Sequence, residues 1–328
     1  MRTLAISLML LQSLAAQAPQ PDGGGVRPGV LPRQWIAGGP KCMEVPDWQV
    51  QEYNSDLYIL RESGCTHPEK PFLFLLFGKE KAILLDTGAG EVQTGREIAE
   101  VVTKWLKRNQ RPSIPLVVAH THSHSDHIAG DKQLEEMHNP AIPVTMVPLT
   151  VAGTAKFYDI TNWPQSAGEI DLGDRVVDIL PIPGHDKLSI ALYDRQTGIL
   201  FTGDSLYPGR LYVEDFAAFA ESTQRMVDFT AGKIVAHVLG NHIEQASTPY
   251  LDYPIGSLYQ PQEHVLELSR AHLLELNAAL QSMNGKPVRL ALRDFSVWPV
   301  DARIWEEMDA LRKVTEEKLR RTMWDQPR

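Results

Sequence analysis

Runs of apolar residues in the first half of the chain predict several strands and one helix. The strands are predicted at residues 56–60, 72–77, 82–85 and 114–119, where apolar side chains are continuous or nearly so. Between the third and fourth of these, residues 91–108 carry apolar positions at the spacing of an amphipathic helix.

The second half of the chain repeats this arrangement. Strands are predicted at residues 175–180, 189–193, 198–201 and 233–239, with a hairpin turn at 194–197. A long helix is predicted over residues 262–283, then a short strand at 288–291 and a last helix over about 300–321. Two similar halves of strands and helices predict an α/β fold with two sheets packed between outer helices.

The N-terminus has the features of a secretion signal. An apolar run at residues 4–14 is too short to cross a bilayer, and Ala16-Gln17-Ala18 has the small-x-small form of a cleavage site. Residues 13–15 offer a second cleavage site. We therefore expect residues 1–18 to be a signal peptide and the protein to be exported, either to the periplasm or as a secreted protein. An N-terminal helix or a membrane anchor is the alternative.

The rest of the chain is expected to consist of two segments after the signal peptide. Residues 19–40 are rich in proline and glycine, which predicts a flexible N-terminus of the mature protein. Residues 41–328 are expected to form a single domain with a C-terminal helical extension at about 255–328. Since no later stretch is long and apolar enough to cross a bilayer, we expect no stable membrane anchor.

Composition narrows the range of partners. The formal net charge is −9, which argues against a nucleic-acid partner, because such binders normally carry a basic surface. Cys42 and Cys65 are the two cysteines, and neither lies near a histidine cluster, so zinc binding by thiolates is not expected. In an oxidising compartment the two could form one disulfide.

Residues 122–127, His-Ser-His-Ser-Asp-His, place three imidazoles and a carboxylate directly after the strand predicted at 114–119. Imidazole nitrogen and carboxylate oxygen suit zinc and its neighbours in the transition series. Three more potential ligands, His185, Asp204 and His242, follow a glycine or a Gly-Asn pair where a predicted strand ends. Five histidines and two aspartates suffice for two metal ions with one shared ligand and open positions for water. The alternative is a solvated histidine-rich loop.

The order of these motifs resembles the metallo-β-lactamase-fold hydrolases. The resemblance covers roughly residues 50–250 and rests on five motifs in sequence: Leu85-Asp86-Thr87-Gly88, His122-x-His124-x-Asp126-His127, Gly184-His185, Gly203-Asp204 and His242. It implies an αββα sandwich of two mixed sheets flanked by helices. It also implies two zinc ions per chain, with iron or manganese as alternatives.

The resemblance assigns roles to individual residues. It implies that His122, His124 and His185 bind the first metal, that Asp126, His127 and His242 bind the second, and that Asp204 bridges them, as in the glyoxalase-II-like and lactonase-like members. Asp86 matches a buried acid that supports the histidine loop, for which capping of the strand end is an equal alternative. Tyr207 matches a tyrosine that in lactonases points at the substrate carbonyl; packing in the turn before Pro208 is its alternative.

The expected function is hydrolysis of an ester, thioester or lactone in a small-molecule substrate by a hydroxide held between the metals. The expected proton donor to the leaving group is Asp126 or a metal-bound water. A β-lactamase is the first alternative, with Lys187 and Arg210 as candidates to hold a substrate carboxylate. An iron-dependent oxidoreductase of the same fold is the second alternative, and a non-catalytic binding module is the third. Asp186-Lys187-Leu188 replaces the family's common Thr-Pro-Gly, so the loops that line the pocket cannot be transferred from other members.

Overall fold

Two six-stranded sheets face each other and carry helices on their outer surfaces. The computed structural model describes residues 26–36 and 45–324. The arrangement confirms the predicted α/β sandwich. The predicted signal peptide and Cys42, with its proposed disulfide, lie outside the described residues. The domain boundaries stay a prediction.

The first sheet consists of six strands in sequential order, the last two parallel to their neighbours: β1 (Trp48–Asn54), β2 (Leu57–Glu62), β3 (Phe72–Phe77), β4 (Ala82–Leu85), β5 (Leu116–Ala119) and β6 (Val144–Met146). The second sheet also has six strands: β7 (Gly168–Asp171), β8 (Val176–Pro181), β9 (Ile190–Asp194), β10 (Ile199–Gly203), β12 (His237–Gly240) and β13 (Glu267–Leu268). Their order across the sheet is β13-β12-β10-β9-β8-β7. A small third sheet, which the sequence did not predict, joins β11 (Arg210–Val213), β15 (Ser296–Pro299) and β14 (Leu290–Ala291).

Seven helices complete the described structure: α1 (Thr94–Arg108), α2 (Ser125–Ile128), α3 (Asp131–Glu135), α4 (Val151–Phe157), α5 (Phe216–Phe229), α6 (Arg270–Ser282) and α7 (Ala302–Trp324). Within the described residues, no helix is both long and apolar enough to span a membrane.

Strand β3 shows why its sequence is apolar without interruption. Phe72, Phe74 and Leu76 face the core between the two sheets, where the rings of Phe74 and Phe201 lie 4.7 Å apart. The alternate residues face α1 on the other side of the sheet, where Phe77 stacks on Trp105 at 4.5 Å. Both faces of the strand are therefore buried, as expected for a strand in a sheet covered on both sides.

The prediction of a helix over residues 262–283 was wrong for residues 262–269. Helix α6 begins at Arg270, after the N-cap residue Ser269. Glu267 and Leu268 instead form the edge strand β13, paired antiparallel with Leu239 and Val238. Tertiary pairing with an open sheet edge outweighs the local preference for helix here. Helix α5 was missed altogether.

A buried ion pair of the second sheet also contacts the backbone of the first sheet. The Arg175 guanidinium donates to both Asp194 oxygens, at 3.1 and 2.7 Å, and neither side chain is exposed. The same guanidinium donates to the carbonyl oxygens of Asp56 and Phe77 in the first sheet. Arg175 therefore supports the first sheet through backbone acceptors that no apolar side chain could satisfy.

We predict that Arg175→Ala lowers the free energy of unfolding by about 3–5 kcal/mol, because Asp194 would stay buried without its cation. Urea denaturation measures this loss. The matched control is Lys132→Ala, which removes the exposed Lys132–Glu136 pair and should cost at most about 1 kcal/mol. Equal losses of unfolding free energy in the two variants would show that the buried ion pair stabilises the fold no more than the exposed one.

Candidate metal centre

All seven predicted metal ligands converge at one edge of the sandwich. They form two groups of potential ligand atoms, each group lying within 4.8 Å: His122, His124 and His185 in the first, and Asp126, His127, Asp204 and His242 in the second. His122 and His124 lie in the loop after β5, and Asp126 and His127 lie in α2. The other three ligands follow β8, β10 and β12. Strand ends from both sheets thus meet at one place, the usual location of a site on such a scaffold.

In the first group, three imidazole nitrogens point toward one another. His185 Nε2 lies 3.2 Å from His122 Nε2 and 3.1 Å from His124 Nδ1. At most one proton can lie between any two such nitrogens, so three of them cannot all be satisfied by one another. A shared cation satisfies all three, which fits the chemistry of a zinc site.

In the second group, the carboxylate of Asp126 faces two imidazoles. Its Oδ2 atom lies 3.4 Å from Nε2 of His127 and 3.4 Å from Nε2 of His242. The two imidazole nitrogens are 3.3 Å apart. This is a mixed nitrogen and oxygen ligand set, with the same convergence as the first group.

Asp204 lies between the two groups. Its Oδ2 is 3.9 and 3.6 Å from Nε2 of His122 and His185, and 3.6 and 3.4 Å from Nε2 of His127 and His242. Its other oxygen, Oδ1, is buried and has no hydrogen-bond partner. A buried carboxylate oxygen without a partner is costly, and a bound cation would remove that cost. The residues present therefore fit two metal ions.

Glycines before two of the ligands allow the required turns. Gly184, before His185, has φ +141°, and a Cβ there would lie 2.4 Å from the Phe219 backbone. Gly203, before Asp204, has φ +55°, and its Cβ would lie 2.8 Å from Thr121. A larger residue at either position would be strained and would also clash, so the spacing of glycine and ligand is a structural requirement.

Asp86 supports the histidine loop rather than contacting the pocket. It is fully buried and accepts hydrogen bonds from the backbone and hydroxyl of Thr121, both at 2.8 Å. It also contacts Nδ1 of His127 at 3.1 Å and accepts from the Asn241 side chain at 2.6 Å. Asp86 thus orients ligands from both sheets at once, which makes it a positioning residue.

Backbone carbonyls orient two further ligands. Nδ1 of His185 is 2.7 Å from the Tyr212 carbonyl oxygen, and Nδ1 of His242 is 2.9 Å from that of Glu69. Since a carbonyl only accepts, each imidazole carries a proton on Nδ1 and directs Nε2 toward the other ligands, where it can bind a metal. No sequence pattern predicted these contacts.

Burial and mutual proximity shift the pKa values of the ligands. Burial lowers the pKa of His185 to about 4 and holds that of His122 well below its usual value. Burial alone would raise the pKa of Asp204, but the imidazoles of His242 and His127 outweigh it and hold that pKa well below the usual range. Burial alone would lower the pKa of His127 and His242, but the carboxylates of Asp126 and Asp204 outweigh it and hold both pKa values well above the usual range. Metal binding requires neutral imidazoles and ionised carboxylates, so it would displace a proton from each of these two histidines.

Tyr207 lines the pocket, and its hydroxyl has protein partners. The hydroxyl donates to the Arg210 carbonyl oxygen and lies 3.1 Å from Glu244 Oε2. The ring lies edge-on to His242, with centroids 5.6 Å apart. This placement is the one expected if Tyr207 packs in the turn before Pro208. A role for its hydroxyl at a substrate carbonyl stays a prediction.

A cavity of about 250 Å3 opens above the ligands, and several of its lining residues were not predicted. Glu214, Glu244, Trp305, Met308 and Asp309 join the predicted residues in its wall. The last three belong to α7, so the C-terminal helical extension covers the site. No sequence signal placed α7 here, because an amphipathic helix shows which face is buried but not against what.

The guanidinium of Arg210, a candidate for holding a substrate carboxylate, is already paired with carboxylates of the protein. It is buried, its Nη1 lies 3.3 Å from Glu244 Oε1, and its Nε lies 3.6 Å from Asp252 Oδ2. Asp186, at the departure from the common motif, accepts from the Ser123 hydroxyl at 2.7 Å. The changed loop is thus tied to the histidine loop.

Comparison with known proteins agrees with this geometry. A family model for the metallo-beta-lactamase superfamily matches residues 71–282. The acyl-coenzyme A thioesterase MBLAC2 of Gallus gallus is 23% identical over 238 residues, covering 62% of this chain and 83% of that protein. A hydroxyacylglutathione hydrolase of Nostoc punctiforme is 26% identical over 144 residues, covering 42% of this chain and 51% of that protein.

A solved structure was also found. A metallo-beta-lactamase from Pontibacter korlensis superposes with a TM-score of 0.48 at 20% identity, covering 71% of this chain and 99% of that one. The family model covers well over half of the chain and includes every predicted metal ligand. The chain belongs to the metallo-beta-lactamase superfamily and is a hydrolase of that superfamily.

Proposed function

We propose that the protein is a dinuclear zinc-dependent hydrolase of an ester, thioester or lactone. The position of Asp204 carries the proposal, because one carboxylate oxygen lies within 3.9 Å of imidazoles from both ligand groups. A carboxylate shared by two ions fixes their separation. The names of the relatives support a thioester or a related acyl substrate.

The residues of the chain perform distinct tasks in this reaction. Bound zinc ions supply Lewis acidity and lower the pKa of water to about 7. Asp126 lines the cavity beside His127 and His242, where it can take a proton from water and pass it to the leaving group. No serine or cysteine nucleophile is needed in this scheme.

The wall of the cavity supports an acyl substrate over a β-lactam antibiotic. A β-lactam carries a carboxylate, which a lysine or arginine in the wall would bind. Arg210 is held by Glu244 and Asp252 behind the wall. Of the lining residues in the described part of the chain, none is lysine or arginine.

We predict about two equivalents of zinc per chain in zinc-replete protein. His185→Ala should remove the ion of the first group and His242→Ala that of the second, each lowering the content to about one equivalent. Metal analysis by mass spectrometry measures this. One equivalent in the unmodified protein would refute the dinuclear site. Loss of both ions in every variant would indicate a single cooperative cluster.

We predict that thioesters, esters and lactones are hydrolysed with higher kcat/KM than the β-lactam nitrocefin. Asp204→Asn should lower kcat on the preferred substrate by about 10²-fold or more, because the amide loses the charge that both ions share. Asp228→Asn, on the outside of α5, is the matched control and should retain activity. Faster turnover of nitrocefin than of every acyl substrate would favour the β-lactamase alternative, and oxygen consumption by iron-loaded protein would favour the oxidoreductase.

We also propose that the protein is exported, with residues 1–18 removed. Support comes from the apolar run and the cleavage motif at the N-terminus. In a bacterial host, full-length protein with a C-terminal tag should fractionate with the periplasm or the medium, and N-terminal sequencing should begin at Pro19, or at Ala16 for the second site. An uncleaved N-terminus in the cytoplasmic fraction would overturn the proposal.

A further inference from the structure

The cavity above the ligands is lined by acidic and aromatic side chains. Six carboxylates line it: Glu69, Asp126, Asp204, Glu214, Glu244 and Asp309. Asp126 and Asp204 belong to the metal groups, and Glu244 is balanced by Arg210. Glu69, Glu214 and Asp309 also line the cavity, and none of its lining residues in the described part of the chain is lysine or arginine.

One side of the cavity combines a carboxylate with two aromatic rings. The indole of Trp305 lies beside Glu214, and it is 5.7 Å from the ring of Tyr212 at an angle of 48°. Glu214 Oε1 is 3.8 Å from Nε2 of His124, and the Trp305 ring is 5.7 Å from the His124 ring. Lys187 acts electrostatically on Glu214 from outside the lining. The aromatic and acidic groups thus lie directly beside the first ligand group.

Aromatic faces next to a carboxylate are the usual surroundings of a bound organic cation. An ammonium group is attracted to the ring faces and to the acid at the same time, whereas a neutral group of the same shape gains only the apolar contact. An anionic group placed against this wall would instead be repelled by the Glu214 carboxylate.

The floor of the same cavity is the candidate metal centre, with Asp204 and its buried carboxylate among the lining residues. Trp305, on α7, lies beyond residues 71–282, the part that the superfamily model matches, whereas Tyr212 and Glu214 lie within it. The wall beside the metal centre is therefore completed by a helix outside that match.

We propose that Glu214, Trp305 and Tyr212 bind a cationic group, an ammonium or quaternary ammonium, carried by the substrate. The inference rests on the proposed hydrolase function and names the chemical class of its substrate. The acyl carbonyl lies over the metal groups, and the cation lies against α7.

The kinetic test compares two thioesters of the same shape on the zinc-loaded full chain. Acetylthiocholine carries the cation, and 3,3-dimethylbutyl thioacetate replaces its nitrogen with carbon. We expect kcat/KM to be about 10-fold higher for acetylthiocholine, in the range of a cation–π contact assisted by an acid. The preference should decrease with added salt, because the entrance is open to solvent.

Variants locate the preference. Glu214→Gln and Trp305→Leu should each bring the ratio of the two kcat/KM values close to one, whereas Trp305→Phe, which retains an aromatic face, should keep most of it. Glu221→Gln, an exposed acid on α5 outside the lining, is the matched control and should leave the ratio unchanged. An unchanged ratio in Glu214→Gln and Trp305→Leu would overturn the assignment.

A binding measurement separates this inference from the proposed function. Calorimetry with choline and its neutral isostere 3,3-dimethylbutan-1-ol reports cation binding without turnover. A choline preference that Glu214→Gln abolishes supports the cation site even if no thioester is hydrolysed, in which case the hydrolase proposal fails. Hydrolysis of both thioesters at equal rates, with no choline preference, overturns the cation site and leaves the hydrolase proposal standing.

Discussion

The burial of Asp204 among four imidazoles is the constraint on which the rest of this structure depends. One of its oxygens faces histidines from both ligand groups, and the other has no hydrogen-bond partner among the described residues. Buried charge is costly unless it is paired, and three converging imidazole nitrogens cannot all satisfy one another. The site therefore suits a metal, whose binding would add to the stability of the fold.

The scaffold holds this arrangement from both sheets at once. Asp86, at the end of a strand of the first sheet, fixes the histidine loop through Thr121 and reaches Asn241 of the second sheet. At another part of the sandwich, Arg175, paired with the buried Asp194 of the second sheet, donates to a backbone carbonyl oxygen of the first sheet. Apolar packing brings the sheets face to face, and these polar contacts set where the two sets of strand ends meet.

The metal ligands at the floor of the cavity and the helix that completes its wall come from different parts of the chain. The floor consists of the ligands, which lie within the part of the chain shared with the superfamily. The wall is completed by α7, which places Trp305 and Met308 over the site from beyond that part. Ligands alone define a class of reaction, whereas shape and charge in the wall decide which substrate reaches the ions.

The sequence by itself determined the two-sheet sandwich and all seven candidate ligands, because strand periodicity and the order of ligand motifs are local properties of the chain. It also located β3 and β4 to the residue, since Pro71 and Gly78 bound the first apolar run and Lys81 and Asp86 bound the second. Only the tertiary structure decided what depends on distant segments. Edge pairing turned Glu267 and Leu268 into a strand, and the third sheet brought Arg210 beside Glu244. The packing of α7 placed Trp305 beside His124, 181 residues away in the sequence. Such contacts join segments by complementary shape and charge, which no local pattern records.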